Sequence, residues 1–419
     1  MTKLFLIEDT LSNTLSYYLL VCFLAFLPFA MQYSELALIS FALVTLVNIN
    51  RKKLSLLLNK QVLILTSFYL LTLIGMLYSP DIKEALNVSG RQLAIILFPL
   101  LFLLNDINLN KYKNGLLQIF GLSCVVALLY LYGVAFYTIC HNHLPAGTLF
   151  TADYMNHYFS LPVQLHATYL SMFATFAVVI FLYFFQQHKN MWPRIFYSLC
   201  ILVLLAGIIQ LSARMPLIAL LFIVFIIFPA FLLKEKNRTG FLIGVIALTV
   251  ASSLVIYNIN SYKIRYVGEL KNDIGIDTLN VEFTEPRVIR WSGELEVIKR
   301  SPIIGYGSGS EKGLLHKMFV EKQLYIAANR YFNSHNQYLS YWLNLGIPGL
   351  LCYLFVLCYG FWLALKARDT LFSGFMVIIS MVSFSENILF LNKGIFFYSF
   401  FISLFFLYPP KNNIVNEGS

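Results

Sequence analysis

The chain has 419 residues, of which 59% are hydrophobic and 12% charged, and its formal net charge is +10. Its mean hydropathy is +0.73. A soluble domain is about half apolar and a quarter charged, so this composition excludes a water-soluble globular enzyme and points to helices facing lipid or one another.

The first apolar run has no small-residue cleavage site behind it and reads as a retained span, not a removed signal peptide. Apolar runs of about 17–25 residues predict spans near 14–33, 34–50, 61–79, 90–105, 115–138, 164–185, 194–211, 215–233, 239–258, 336–364, 370–388 and 393–409. The expected fold is an all-α polytopic membrane protein of about twelve transmembrane helices. Helices one to nine occupy 1–258, a large loop occupies 259–335, and helices ten to twelve with a tail occupy 336–419. Short loops on one side hold only Lys83, Arg91, Arg214 and Lys393, against fifteen lysines and arginines on the other. The positive-inside rule then puts both termini in the cytoplasm and the large loop outside. The six cysteines lie mostly within spans and form no disulfide or metal-ligand spacing.

Within the large loop, YKIRYVGELKNDIGIDTLNVEF lacks periodicity and is expected to be irregular. A helix should follow, with Thr284 as N-cap, Pro286 tolerated in the first turn and Pro302 as the stop. Arg287, Arg290 and Glu294 share a face of it, and Arg290 can pair with Glu294 at i,i+4. GYGSG at 305–309 follows no strand and precedes no lysine, so it reads as a turn, with a second helical stretch from about 312 to 330.

His335 lies where the loop re-enters the bilayer, Arg214 in the short outside turn between spans seven and eight, and His166 where span six begins from the same side. Each has an ordinary explanation: a snorkelling arginine, a solvated helix face, a capping residue. Arginine also offers a planar fork of donors to phosphate oxygens, and histidine accepts a hydroxyl proton near neutral pH. CHNH at 140–143 with His157 fits no standard metal site, and the loop has no Asp-x-Asp pair. No ionisable residue falls at the middle of a span, and Glu35, Arg91, His166 and Glu386 all sit at edges. Ion-coupled transporters carry such groups at the midplane, so the chemistry is expected at the outer interface.

SARMPLIALL, PRVIRWSGELEVIKRSPIIGYGSGS and SHNQYLSYWLNLGIPGLLCYL, in that order, resemble the O-antigen ligase and O-antigen polymerase superfamily. The resemblance implies an inner-membrane glycosyltransferase that takes a glycan from undecaprenyl diphosphate on the periplasmic face, without cofactor or metal. Its expected partners are that lipid-linked donor, a lipid A-core or other glycan acceptor, and membrane lipids, with no nucleic acid. By resemblance, Arg214 and Arg287 bind the diphosphate, with Arg290 as an additional contact, and His335 is catalytic. His166, Asn336 and Tyr338 are candidate substrate contacts. His335-Asn336, nine residues, then Gly346-Ile347-Pro348-Gly349 is similar to the ligase pattern. No loop arginine has a glycine eleven positions later, unlike the pattern of polymerases; Ile218 stands where ligases often carry leucine. A polymerase, a transporter of lipid-linked glycan and a non-catalytic assembly protein are the rival readings.

Overall fold

The computed structural model describes residues 7–49, 53, 59–276 and 285–409. Among them the regular structure is entirely helical. The membrane-facing part begins with α1 (Leu11–Phe26), α2 (Met31–Val47) and α3 (Lys60–Met76), followed by α4 (Ile82–Gln92) and α5 (Ala94–Leu104), which run on as one 23-residue element. Then come α6 (Leu109–His141), α7 (Ala167–Gln187), α8 (Met191–Leu211), α9 (Arg214–Leu232) and α10 (Glu235–Asn258). The segment between α10 and α13 carries α11 (Arg287–Arg300) and α12 (Glu311–Glu321), and α13 (Gln337–Lys366), α14 (Thr370–Val382) and α15 (Asn392–Leu407) close the chain.

Seven of these helical elements are long and apolar enough to cross a bilayer. The other five apolar helices, α1, α2, α3, α14 and α15, have 13 to 17 residues. The order of elements matches the expected layout, but a count of twelve complete crossings does not follow from these lengths. The first boundary falls earlier than expected because Pro28 lies in the turn after α1 and cannot continue a helix. The eleventh run also ends early, at Val382. Residues 383–391 leave the helix because the first turn of α13 satisfies their backbone. Gln337 N donates to Ser383 O at 2.8 Å and Leu389 N donates to Gln337 Oε1 at 2.8 Å.

At the centre, α7 packs against α6, α8 and α14. Phe120, Phe173, Phe176, Phe375, Phe397 and Phe401 interlock there, with ring centroids as close as 4.8 Å (Phe173–Phe397). Lipid supplies no hydrophobic drive between helices, so such close, mostly tilted and edge-to-face ring contacts are a main source of their cohesion.

The front of the loop is helical, contrary to the irregular reading. Helix resumes at Asn260–Lys263, passes through a π turn at Ile264–Gly268 and ends at Glu269–Asp273. Two tyrosines four residues apart hold it to the end of α8: Tyr262 OH donates to Gln210 Oε1 at 2.7 Å, and Tyr266 OH donates to Ile209 O at 3.3 Å. A period marked by two residues alone is too sparse to stand out in sequence. Thr284, the expected cap of α11, lies outside the described residues.

GYGSG is a turn, and its glycines allow backbones to approach closely. Gly305 (φ 76°) abuts the backbone of Asn344 and Gly346, and Gly307 (φ 92°) abuts Ser79. α13 kinks at Gly346 (φ 66°), and the kink leaves carbonyls free to receive the turn. Tyr306 N donates to Leu343 O at 3.1 Å and Gly307 N to Asn344 O at 2.8 Å.

Candidate active site

Arg214 is the first residue of α9, and the turn before it is two residues long, with Ser212 in the left-handed region at φ 50°. Buried Gln210 organises the approach. Its Nε2 donates to Leu149 O at 2.8 Å and to Tyr154 O at 2.5 Å, while its Oε1 accepts from Tyr262. One side chain thus docks two loops beside the arginine. The result brings Asp273 to Arg214 as an ion pair, and the same Asp273 Oδ2 lies 3.5 Å from Arg287 Nε. Arg287 also donates from Nη1 to Ser385 O at 3.0 Å. Two arginines far apart in sequence therefore reach one anionic oxygen.

Arg290 is buried behind them. It does not form the expected pair with Glu294; its guanidinium lies over the Phe332 ring, 5.0 Å from the centroid, and Glu294 accepts from Ser334 Oγ instead. Burial, helped by neighbouring Arg287, lowers the Arg290 pKa to about 10, so it remains a cation at neutral pH. Arg265, from the π turn, joins the cluster and pairs with Glu269. Arg214 Nη1, Arg265 Nε and Arg290 Nε are buried with no hydrogen-bond partner among the described residues. Buried donors are normally paired, so several unspent guanidinium N–H groups at one place suit an anion with several oxygens.

His335 sits against this cluster. Asn336, not His335, caps α13: its Oδ1 accepts from Tyr338 N at 3.0 Å and Leu339 N at 3.2 Å. The imidazole is therefore free of that task. The backbone of His335 is left-handed (φ 45°), which few residues other than glycine adopt and which persists where the surroundings enforce it. The enforcement is visible at Ser334. Its N–H donates to Glu311 Oε1 at 2.8 Å, its hydroxyl donates to Glu294, and its carbonyl accepts from Trp291 Nε1 at 2.8 Å. The His335 ring meets Phe332 edge-on, and its Nδ1 is 3.4 Å from Glu386 Oε2.

Glu386 belongs to the segment between α14 and α15, where it also accepts from Thr168 Oγ1 at 3.4 Å. Burial alone would raise this carboxyl. The His335 hydrogen bond and the charges of His335, His166 and Arg287 outweigh it and lower the pKa to about 2. Asn387 fixes the segment, accepting from Asn336 N at 2.7 Å and donating to Glu311 Oε1 at 2.9 Å.

His166 caps α7, its Nδ1 accepting from Thr168 N at 3.4 Å, and its ring centroid is 4.0 Å from that of His157. Burial outweighs the opposing charge of Glu386 and leaves His166 below its ordinary value; burial and His166 bring His157 down to about 4. Of the remaining candidates, Asn336 is buried and occupied by capping, and Tyr338 OH donates to Ser380 O at 2.9 Å. Arg214, Arg287, Arg290, His166 and His335 thus converge. Gln210, Arg265 and Asp273, which their sequence positions did not mark, complete the cluster with Glu386. Glu386, a carboxylate amid apolar residues 370–407, carried the one available signal.

Residues 199–354 match the family model described as O-Antigen ligase. That span holds Arg214, Arg287, Arg290 and His335, whereas His166 and Glu386 lie outside it. An uncharacterized protein of Haemophilus influenzae is 26% identical over 368 residues, covering 78% of this chain and 89% of its own.

Proposed function

We propose that this chain, whose residues 199–354 match the O-antigen ligase family model, is a glycosyltransferase of the inner membrane with its site on the periplasmic face. The donor is a glycan on undecaprenyl diphosphate and the acceptor is lipid A-core. The observation that carries this reading is the meeting of Arg214 and Arg287 on one carboxylate oxygen, one residue's reach from the His335–Glu386 pair. Such a cradle suits a diphosphate, and the imidazole beside it suits a hydroxyl.

In the proposed reaction, Arg214 and Arg287 hold the diphosphate, and the buried charge of Arg290 adds to the field behind them. The acceptor hydroxyl attacks the anomeric carbon from the face opposite the diphosphate. His335 takes the hydroxyl proton, the new C–O bond forms, and the C–O bond to the diphosphate breaks with its electrons passing to the leaving oxygen. The configuration inverts. Fixed guanidinium charge stabilises the developing negative charge, so loss of one such group should cost on the order of a hundredfold or more in rate. Proton removal by His335 contributes roughly 10²–10⁴-fold.

The test is transfer by purified protein between undecaprenyl-diphosphate-linked glycan and lipid A-core, run with EDTA. Glycan should appear on lipid A-core, and His335→Ala or Arg214→Ala protein at normal levels should lose it. Parental rates in both variants would overturn the mechanism. Chains lengthening on the undecaprenyl carrier instead would make the protein a polymerase.

A further inference from the structure

We propose that the cleft between the end of α7 and the start of α8 is a binding site for an anionic glycerophospholipid. Lys189 and Arg194 hold its phosphate, and its acyl chains lie along α8. The inference does not depend on the reaction proposed above.

The cleft has a volume of about 370 Å³ and is lined by Phe185, Lys189, Arg194, Ile195, Ser198 and Leu199. Along α8 its lining changes from charged to apolar. Ile195, Leu199 and Leu202 follow one another at i, i+4 and i+7, so they share a face of the helix, and all three are exposed. Trp192, also exposed, stands in the first turn of α8, where an amphipathic ring suits the level of lipid headgroups. A pair of cations with an apolar track running from it matches the two halves of a phospholipid.

The charge at this cleft has no counter-ion within the chain. No Asp or Glu occurs between Asp153 and Glu235. Asp369, the carboxylate felt at Tyr183 near the end of α7, is engaged elsewhere. Its Oδ1 accepts from Leu371 N and Phe372 N, and its Oδ2 lies 3.8 Å from Lys113 Nζ. The side chains of Lys189 and Arg194 have neither an ion pair nor a hydrogen bond among the described residues. Arg194 lies over the Phe185 ring, 4.4 Å from the centroid, which holds the guanidinium at the cleft without neutralising it. Other cations of the same basic side are matched: Lys53 pairs with Asp106, and Lys234 and Lys236 flank Glu235. The anion must therefore come from outside the chain, and a lipid phosphate is the one that also brings chains to the exposed face of α8.

The site bears on the rest of the fold. α7 and α8 form one hairpin, whose opposite ends carry His166 and, two residues beyond Leu211, Arg214. A lipid seated in the cleft ties these two helices together, so its binding should raise the melting temperature.

The experiment titrates delipidated full-length protein in detergent with phosphatidylglycerol or phosphatidylethanolamine and follows binding by native mass spectrometry. The tightest-bound phosphatidylglycerol should persist at concentrations where phosphatidylethanolamine does not. Loss of each cation should weaken it roughly fivefold, and Lys189→Gln with Arg194→Gln roughly thirtyfold. That double variant should melt with the parent in the absence of lipid, because both side chains are exposed, and should not be stabilised by phosphatidylglycerol as the parent is. Lys234→Gln with Lys236→Gln removes as much charge from the same side but none from the cleft, and should bind like the parent. Leu199→Gln, which interrupts the apolar track and leaves both cations, should also weaken the lipid. Equal retention of the two lipids overturns the proposal, as does parental affinity in the cleft double variant. An equal loss in the Lys234 and Lys236 variant overturns it too, because general surface charge would then account for the binding.

Discussion

Glu294 and Glu311 are buried beneath the turn that presents His335, and both spend oxygens on Ser334. Burial, reinforced by the charge of Glu311, raises the Glu294 pKa well above the usual carboxylate range. A carboxyl whose pKa is higher folded than unfolded contributes stability that is complete below the unfolded value and is lost as pH rises through the folded one. Glutamine at this position can still accept from Ser334 and never ionises. Glu294→Gln protein should therefore melt at a higher temperature than the parent at pH 8, and the difference should shrink as pH falls toward 5. Thermal unfolding in detergent across that range checks the sign. Residues of this kind explain what was legible at the smallest scale. Arg214, Arg287 and His335 stand out because charge is scarce at an apolar boundary. Glu294 and Glu311 look like solvated helix residues, and only tertiary packing turns them into the supports of the site.

At the scale of elements, the kink in α13 does the positioning. Gly346 adopts φ 66° and its Cα faces the carbonyl of Ile303, while Ile347 N donates to Pro302 O at 2.9 Å and Trp342 Nε1 to the same oxygen at 3.1 Å. A side chain there would meet backbone and also require a conformation that L residues avoid. Gly346→Ala should destabilise by more than about 1 kcal/mol, read as a lower melting temperature or as loss of monodisperse protein on size exclusion. Retention of parental stability would show that the kink is not required. Gly346, part of the His335–Gly349 sequence pattern, thus has a mechanical reason. It lets the GYGSG turn lodge against α13 and sets the kink with which the helix leaves the site. The spacing of helices was readable because lipid imposes long apolar runs. The fold of 260–273 was not, because it rests on Tyr262 and Tyr266 reaching the end of α8.

For the whole molecule, the proposed topology is a side with little basic charge in its short loops and the large extramembrane segment upon it. Lys312→Cys in an otherwise cysteine-free background should react with a membrane-impermeant maleimide once the outer membrane is permeabilised. Lys236→Cys, at the start of α10, should react only after lysis. The reverse pattern would invert the orientation and place the arginine cluster in the cytoplasm, where a periplasmic transfer could not occur. The elements that converge on the site, α7, α9, α11, α13 and the connection from α14 to α15, come from distant parts of the chain, so its geometry depends on the packing of the entire bundle.

The ion pairs of Asp273 with Arg214 and Arg287 mean that the cradle arrives with its own counter-ion attached to the chain. A diphosphate entering it would exchange one anion for another, and its binding energy would be the difference between two attractions rather than the full strength of either. Mobile salt would have less to contribute on either side of that exchange, because the ion released remains tethered. After the product departs, the tether returns and the arginines are neutralised again without recruiting anything from solution. Tight grip and ready release, which a bare pair of arginines would set against each other, can then coexist in one site.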